Sequence, residues 1–175
     1  MKILACSLIA VVSVALSGAV FAASEEGVFD AKSYYRLTTK WRGDGKSLDV
    51  VNDGKNNNQL ILAKTGKFSG QFWKITPVGG GYYRLTTEWQ GSGKSLDVVN
   101  DGKSNNQLIL AKTGKFSGQF WKITSLGAGY YRLTTQWQGE GKSLDIVNDR
   151  KNNNQPILAD TSNYSGQFWK IIKVK

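Results

Sequence analysis

The chain has 175 residues, 23 of them Lys or Arg and 13 Asp or Glu, which gives a formal net charge of +10. It contains no histidine and one cysteine, Cys6. These absences exclude a zinc site with His or Cys ligands and a Ser–His or Cys–His nucleophile pair. The positive charge favours anionic partners, although scattered lysines are equally typical of an ordinary solvated surface.

The first residues have the pattern of a secretory signal peptide. Met1 and Lys2 form a positive end, and the stretch 3–16 is almost entirely apolar. Small residues follow up to Ala22, and the apolar stretch is shorter than the ~20 residues that a membrane-spanning helix needs. We therefore expect cleavage after Ala22 and secretion to the extracellular space or periplasm, with no membrane span. Cys6 lies inside this segment, so the mature chain is expected to lack cysteine.

A short N-terminal lead, 23–33, precedes three copies of one sequence unit. The heptapeptide Ser-Gly-Gln-Phe-Trp-Lys-Ile recurs every 48 residues, at 69–75, 117–123 and 165–171. The period extends to whole copies, at 34–81, 82–129 and 130–175. The first two copies differ at seven of 48 positions. Such self-similarity predicts a repeat architecture.

Each copy contains four short segments with strand composition, which in the first copy are 34–39, 47–51, 59–63 and 71–75. Turns rich in Gly, Asn and Asp separate them, and no segment has helical periodicity. Strand alternation puts one set of apolar side chains on a single face: Tyr35, Leu37, Leu48, Val50, Leu60, Leu62, Trp73 and Ile75. The opposite face receives Asp49, Ile61, Ala63, Phe72 and Lys74.

The apolar face of one copy is too small to bury itself, so three copies must share a core. Three four-stranded units around a pseudo-threefold axis predict an all-β fold, a β-trefoil of twelve strands. A three-bladed propeller is the alternative, but propellers normally have at least four blades.

Two motifs in each copy carry a resemblance to a known family. Gln-x-Trp lies near the end of each copy, and a Leu-Asp-Val-type segment lies about 25 residues earlier. Three such pairs at constant spacing resemble the ricin B-type lectin repeat, from about Tyr34 onward. The resemblance implies a β-trefoil in which the repeated tryptophans each supply one third of the core: Trp73, Trp121 and Trp169.

The resemblance also implies a site residue in each copy. In the family, the aspartate of the Leu-Asp-Val segment accepts hydrogen bonds from sugar hydroxyls, which here designates Asp49, Asp97 and Asp145. A carboxylate on a rigid strand between two core-facing residues would hold an acceptor in fixed geometry. The alternative is an aspartate that caps the following turn.

Three family features are altered. Alanine replaces the aromatic residue at the end of the third strand, at Ala63, Ala111 and Ala159. Glycine replaces the polar residue before Gln-x-Trp, at Gly70, Gly118 and Gly166. Hydroxyl residues such as Ser47 and Thr65 stand where the family has paired cysteines. The usual galactose pocket is therefore not expected unchanged.

Two other sets of aromatic residues are candidates for the missing sugar platform. One set lies in the loop after the first strand: Trp41, Trp89 and Trp137. The other precedes the last strand: Phe68, Phe116 and Tyr164. Aromatic residues on loops can present an exposed face for sugar stacking, or they can cover the open end of the core.

An asparagine cluster follows each candidate aspartate and ends at Asn58, Asn106 or Asn154. Side-chain amides both donate to and accept from sugar hydroxyls, but they equally suit a solvated turn. Calcium is not expected, because Asp49, Asn52 and Asp53 lack the alternating ligand spacing and Lys55 intervenes. No metal or cofactor is predicted.

The sequence thus predicts a secreted, multivalent, non-enzymatic lectin with up to three sites for glycans or polysaccharide. The alternatives are a basic trefoil that binds anionic polymers, such as acidic polysaccharide, lipopolysaccharide or nucleic acid, and a trefoil protease inhibitor. An enzyme with paired acids such as Asp49 and Asp53 ranks last. The sugar, the target cell and the oligomeric state are left open.

The third copy differs from the other two at three informative positions, and we expect its site to be weaker or differently selective. The replacements are Arg150 for Gly54 and Gly102, Pro156 for Leu60 and Leu108, and Asp160 for Lys64 and Lys112.

Overall fold

A computed structural model describes residues 28–175, so the predicted signal peptide 1–22 and residues 23–27 of the lead lie outside the described residues. The described residues form twelve strands: β1 Tyr35–Thr39, β2 Lys46–Val50, β3 Leu60–Lys64, β4 Trp73–Gly79, β5 Tyr82–Thr87, β6 Lys94–Val98, β7 Leu108–Lys112, β8 Trp121–Gly127, β9 Tyr130–Thr135, β10 Gly139–Ile146, β11 Pro156–Asp160 and β12 Trp169–Lys173. No α-helix occurs between residues 28 and 175.

Six strands close into a barrel, the first and last strand of each repeat. Antiparallel pairing runs from β1 to β4, β5, β8, β9 and β12, and β12 pairs with β1 to close the ring. The β1–β12 register pairs Tyr35 with Lys173 and Thr39 with Trp169. The predicted β-trefoil is therefore confirmed.

Three hairpins cover one end of the barrel: β2–β3, β6–β7 and β10–β11. Each third strand bonds to the loop of a neighbouring repeat through one backbone amide. Leu62 N donates to Asn154 O at 2.7 Å, and Leu110 N and Leu158 N make the same bond to Asn58 O and Asn106 O at 2.9 Å. The hairpins consequently interlock around the pseudo-threefold axis.

The core matches the predicted face of the strands. All eight apolar residues predicted to face inward in the first copy are buried, Tyr35 and Leu60 least completely. Trp73, Trp121 and Trp169 have no exposed surface, and each indole Nε1 donates to a backbone carbonyl of the second strand, for example Trp73 to Leu48 at 2.9 Å. The prediction that these three rings form the shared core is confirmed.

Phe29 of the N-terminal lead packs among equivalent residues of all three repeats. Phe29 is buried and packs edge-to-face against three equivalent tyrosines, one from each repeat. Its ring centroid lies 5.5, 5.6 and 5.8 Å from those of Tyr35, Tyr83 and Tyr131. Phe29 is thus part of the core, although the sequence around it carries no repeat signal.

The fourth predicted strand of each repeat begins too early. Gln71 lies in a 3-10 turn, Ser69–Gln71, and β4 begins only at Trp73. Equivalent turns occupy Ser117–Gln119 and Ser165–Gln167. The buried Gln71 amide explains the turn, because its Oε1 accepts from Gly66 N at 2.9 Å and its Nε2 donates to Lys64 O at 2.8 Å.

A hydrogen bond occupies the place of the family's disulfide. Ser47 Oγ lies 2.6 Å from Thr65 Oγ1, and the equivalent pairs are Ser95–Thr113 and Ser143–Thr161. Thr65 Oγ1 donates its proton to Asp44 O, so the Ser47 hydroxyl donates within the pair. These bonds tie together the two ends of each hairpin without cysteine.

The third repeat has a strained backbone position that the first two lack. Arg150 has a φ of +67°, where Gly54 and Gly102 both have +80°. A residue with a Cβ is strained in this left-handed region. Pro156 is nevertheless buried and pairs with Ile146, so the hairpin itself survives the replacement.

Asp160 redirects a lysine of the third repeat. In the other repeats this lysine bonds to an asparagine across a repeat boundary, with Nζ to Oδ1 distances of 2.7 Å for Lys46 to Asn154 and 2.8 Å for Lys94 to Asn58. Lys142 instead pairs with Asp160 at 2.7 Å. Asn106 Oδ1 is consequently buried without a hydrogen-bond partner among residues 28–175.

Among residues 28–175, no helix has the length and apolar character that crossing a membrane requires.

Candidate functional site

Three equivalent depressions lie on the surface, one for each candidate aspartate. We name them site 1, around Asp49, site 2, around Asp97, and site 3, around Asp145, with volumes of 490, 520 and 400 Å³. Each is lined by the aspartate, the residues just after it, an isoleucine of the third strand, the loop before the 3-10 turn and one loop tryptophan.

The aspartate is half-buried and held at both carboxylate oxygens. Asp49 Oδ1 accepts from Val50 N at 2.8 Å, and Oδ2 accepts from Gln71 Nε2 at 2.9 Å. Asp97 and Asp145 make the same two bonds to Val98 and Gln119 and to Ile146 and Gln167. Each oxygen keeps a second lone pair, so the carboxylate is a fixed acceptor that can receive further hydrogen bonds.

Burial controls the ionisation of two of these carboxylates. It raises the pKa of Asp49 above its ordinary value of 3.8, and the bonds from Gln71 and Val50 offset the rise only in part. The pKa of Asp145 is raised for the same reason, against the opposing bonds from Gln167 and Ile146.

Glycine before Gln-x-Trp makes room for the aspartate. A Cβ on Gly70 would lie within 2.4 Å of Asp49 Oδ1, and on Gly118 within 2.5 Å of Asp97 Oδ1. It would also approach the Val50 or Val98 backbone to 3.2–3.4 Å. The departure from the family's polar residue at this position therefore fits the way this chain seats its carboxylate.

The tryptophan that lines each site belongs to the next repeat. Trp89 of the second repeat lines site 1, Trp137 of the third lines site 2, and Trp41 of the first lines site 3. The backbone fixes this arrangement, because Trp89 N donates to Ser69 O at 3.3 Å and Glu88 N donates to Phe72 O at 2.9 Å. The tryptophans also pack against the core, so they both cover it and line a site.

The second aromatic set lies in the same depressions and is largely exposed. Phe68, Phe116 and Tyr164 are 60%, 61% and 64% exposed and line sites 1, 2 and 3. Each exposed ring offers apolar surface to a ligand that enters the depression. The structure thus brings together the aspartate and both aromatic sets predicted from the sequence.

The three asparagines predicted as site residues do not lie with the aspartates and the aromatic residues. Asn58, Asn106 and Asn154 line none of the three depressions. Their carbonyls bond the neighbouring repeat, and two of their side chains bond a lysine there. Asn58 and Asn106 also have φ values of +73° and +74°, which asparagine tolerates better than most residues. Their position is that of connectors between repeats.

Sequence reasoning missed several residues of the sites. Asn52, Asn100 and Asn148 line sites 1, 2 and 3, and Lys67 and Lys115 line the first two. The asparagine three positions after each aspartate could have been predicted as a site residue, since it recurs in all three copies. The buried glutamine of Gln-x-Trp also acts on the site, because it positions the aspartate.

Asp53, the second acid of the pair considered for an enzyme, does not line site 1 with Asp49. Asp53 lies in the exposed turn after β2, where its Oδ1 accepts from Lys55 N and Asn56 N at 2.9 and 2.6 Å. These bonds lower the pKa of Asp53, the one from Asn56 N most strongly. Among residues 28–175, no group of three or more Cys, Asp or Glu could hold a metal ion.

We expect Gly118→Ala to impair site 2 alone. The new Cβ would overlap Asp97 Oδ1, so the carboxylate must move, and overpacking of this kind typically costs ~1–3 kcal/mol. A calorimetric titration with a bound ligand should show one binding site fewer than in the unmodified protein, and the melting temperature of the variant should be lower. Gly45→Ala is the matched control, because a Cβ on Gly45 meets nothing within 4 Å. Full stoichiometry in Gly118→Ala would contradict the proposed seat of the aspartate.

The family model for the ricin-type β-trefoil lectin domain-like family matches residues 27–112 and 71–160. These matches cover most of the chain, and the protein belongs to this family. No sequence among the curated proteins matches it significantly.

Solved structures share the fold. The designed threefold-symmetric protein ThreeFoil is 28% identical with a TM-score of 0.68, and the match covers 81% of this chain and 99% of ThreeFoil. The exo-β-1,3-galactanase 1,3Gal43A from Clostridium thermocellum is 28% identical with a TM-score of 0.67, over 81% of this chain and 30% of the galactanase. SeviL, solved with the asialo-GM1 saccharide, is 18% identical with a TM-score of 0.59, over 82% of this chain and 98% of SeviL.

The chain thus corresponds to a small part of some relatives. It spans 30% of the galactanase and 17% of a mosquitocidal holotoxin that shares the fold at 18% identity and a TM-score of 0.71. The chain matches other structures, such as ThreeFoil, over nearly their whole length.

Proposed function

We propose that the protein is a secreted, multivalent, non-enzymatic lectin that binds carbohydrate at sites 1, 2 and 3. The observation that carries this proposal is the threefold recurrence of one arrangement: a half-buried carboxylate between a partly buried tryptophan and an exposed aromatic ring. Membership of a lectin-domain family and the saccharide in the SeviL structure support it.

The parts of each site suit the two surfaces of a sugar. The carboxylate, fixed by its bonds from Val50 and Gln71 in site 1, accepts hydrogen bonds from two neighbouring hydroxyls, and the Asn52 amide can donate or accept beside it. The Phe68 and Trp89 rings supply apolar surface for the C–H groups of the sugar. The aspartate is held in place before binding, which reduces the entropy lost when the complex forms.

Three weak sites on one rigid barrel favour multivalent targets. Shallow recognition of hydroxyls competes with water, so the affinity of each site for a monovalent sugar should be low. A glycan-coated surface that engages two or three sites can bind ~100-fold more tightly through effective concentration. A natural target would therefore be a polysaccharide or a densely glycosylated surface.

A glycan array probed at low and at high salt tests this proposal. We expect binding to neutral glycans that survives high salt, because hydroxyl recognition is little screened. Binding only to sulfated or phosphorylated polymers, lost in high salt, would instead favour a basic trefoil that uses its excess of Lys and Arg over Asp and Glu. Absence of binding to any glycan would overturn the proposal. Detection of the protein in the culture medium or periplasm, shortened by 22 residues, tests secretion.

Acidification should remove glycan binding at sites 1 and 3 before it unfolds the protein. Because the pKa values of Asp49 and Asp145 are raised by burial, their carboxylates become protonated at a higher pH than an ordinary aspartate. A pKa that is higher in the folded state means that protonation of these groups favours folding, so they cause no acid destabilisation. Asp30 behaves oppositely, since its bonds from Ser33 and Lys32 lower its pKa to about 2.

The stability that Asp30 contributes is therefore present above pH 3.8 and is lost as the pH falls towards 2. Calorimetric titrations and melting curves over the same pH series would separate the two effects. Glycan binding should decline while the melting temperature is still close to its neutral value. A parallel decline of both would contradict the assignment.

A further inference from the structure

Two of the three sites contain a lysine beside the aspartate. Lys67 lines site 1 and Lys115 lines site 2, and both residues are exposed. Neither ammonium forms a salt bridge within the described part of the chain, whereas Lys122 and Lys142, for example, are paired with acids. Sites 1 and 2 thus present a fixed hydrogen-bond acceptor and a free positive charge in one depression.

The aspartate of the site does not neutralise this lysine. Asp49 Oδ1 and Oδ2 accept from Val50 N and Gln71 Nε2, and Asp97 repeats both bonds. No ion pair joins Lys67 to Asp49 in the described structure. The acceptor and the cation are therefore available to different groups of one ligand.

Site 3 lacks this lysine. The copies align Asn163 with Lys67 and Lys115, and Asp160 with Lys64 and Lys112. Over the seven residues that end at the conserved glycine, the formal charge is +2 in 64–70 and in 112–118 but −1 in 160–166. Within the described range 28–175, no lysine or arginine lines site 3, and Tyr164 adds a neutral hydroxyl where the other sites have phenylalanine.

Arg42 lies against the tryptophan of site 3, in a place different from that of Lys67 and Lys115 in the other sites. Arg42 stacks on the Trp41 ring, with its guanidinium carbon 4.3 Å from the ring centroid. The residues that follow the tryptophans of sites 1 and 2 are neutral, Gln90 and Gln138. The charge of Arg42 is thus placed against the tryptophan wall and is not beside the loop that carries Lys67 and Lys115 in the other sites.

From this contrast we infer that sites 1 and 2 bind glycans that carry an anionic group, a sulfate or a carboxylate, while site 3 binds uncharged sugar. The inference rests on the proposed function, because the sugar hydroxyls are still held by Asp49 and Asp97. The anionic group pairs with Lys67 or Lys115. An exposed ion pair of this kind supports at most about a fivefold preference over the neutral glycan, and salt weakens it.

The test uses an array that prints each neutral glycan beside its sulfated and its carboxylated counterparts, such as lactose beside 3′-sulfolactose and 3′-sialyllactose. Comparison of the two anionic members shows whether sulfate or carboxylate is preferred. The measured quantity is the ratio of anionic to neutral binding for each glycan set, at low and at high salt. Asp145→Asn isolates sites 1 and 2, and the double variant Asp49→Asn/Asp97→Asn isolates site 3.

Lysine variants then locate the preference. Lys67→Asn/Lys115→Asn gives sites 1 and 2 the residue found in site 3 and should lower the ratio to about 1. Lys55→Asn/Lys103→Asn is the matched control, because it changes the net charge equally at exposed turn residues that line none of the sites. Asn163→Lys in the site 3 background should create a preference there.

The outcomes separate this inference from the proposed function. A preference that survives Lys67→Asn/Lys115→Asn, or that the Lys55 control also removes, would assign it to general surface charge and overturn the inference. Equal binding of neutral and anionic glycans by the unmodified protein would overturn it as well, yet leave the lectin intact. Failure of the unmodified protein to bind either neutral or anionic glycans would contradict both the inference and the proposed lectin function.

Discussion

Truncation of one core tryptophan, Trp121→Ala, is expected to lower the free energy of unfolding by ~3–5 kcal/mol. The ring is fully buried at the centre of the shared core, and its Nε1 donates to Leu96 O at 2.9 Å. The variant therefore loses a large apolar contact and leaves a buried carbonyl without its donor. Chemical denaturation monitored by circular dichroism measures the loss directly.

Two controls separate the causes of this loss. Trp121→Phe keeps most of the apolar volume and removes the hydrogen bond, so its cost should be clearly smaller. Phe116→Ala removes a ring that is 61% exposed and should change the stability by less than about 1 kcal/mol. If Trp121→Ala unfolded at the same denaturant concentration as the unmodified protein, the shared core would not have the structure described above.

Simultaneous replacement of the three site aspartates by asparagine should abolish the binding of neutral glycans. Hydrogen bonds to a charged acceptor are worth roughly 1.5–3 kcal/mol, so each change should weaken its site about 10- to 100-fold. Asparagine nearly preserves the volume, but it offers one acceptor oxygen to the two donors that now hold Asp49, Val50 N and Gln71 Nε2. We therefore expect a modest fall in melting temperature and an intact fold.

The matched control moves the same chemical change to the exposed turns. Asp53→Asn/Asp101→Asn/Asp149→Asn alters the net charge by the same amount, at aspartates whose bonds stay within the turn. It should leave glycan binding in place. Normal binding by the site triple variant, on an array or by calorimetry, would show that the carboxylates are not the acceptors. The loop aromatics would then become the better candidates.

The sequence was sufficient for the fold because its signals are local and repeated three times. Period-two alternation identified the inward face, and every apolar residue assigned to it in the first repeat is buried. The strand composition of its neighbours predicts that Gln71 lies in a strand. Its position is decided instead by side-chain bonds to Gly66, Lys64 and Asp49, which composition does not encode.

The site could be predicted only in part, because it is assembled across repeat boundaries. The aspartates and both aromatic sets were identified from motif and loop position, but within a repeat Trp41 is the nearest tryptophan to Asp49 along the chain. The structure pairs Asp49 with Trp89 and Trp41 with Asp145. That exchange follows from barrel closure, and so does the use of Asn58 as a connector. Phe29 carried no signal, because a lone aromatic residue outside the repeats has no period.

The tryptophan of each site belongs to the next repeat, and this determines the smallest part of the protein that can form a complete site. A peptide of one 48-residue copy would hold an aspartate and a tryptophan that belong to two different sites, so it could not form a site by folding alone. Three such peptides associated head to tail would recreate all three sites, with β12-to-β1 pairing as the model for every junction. For this architecture, a one-repeat version of the protein would bind sugar only as a trimer. Its affinity would then depend on its own concentration.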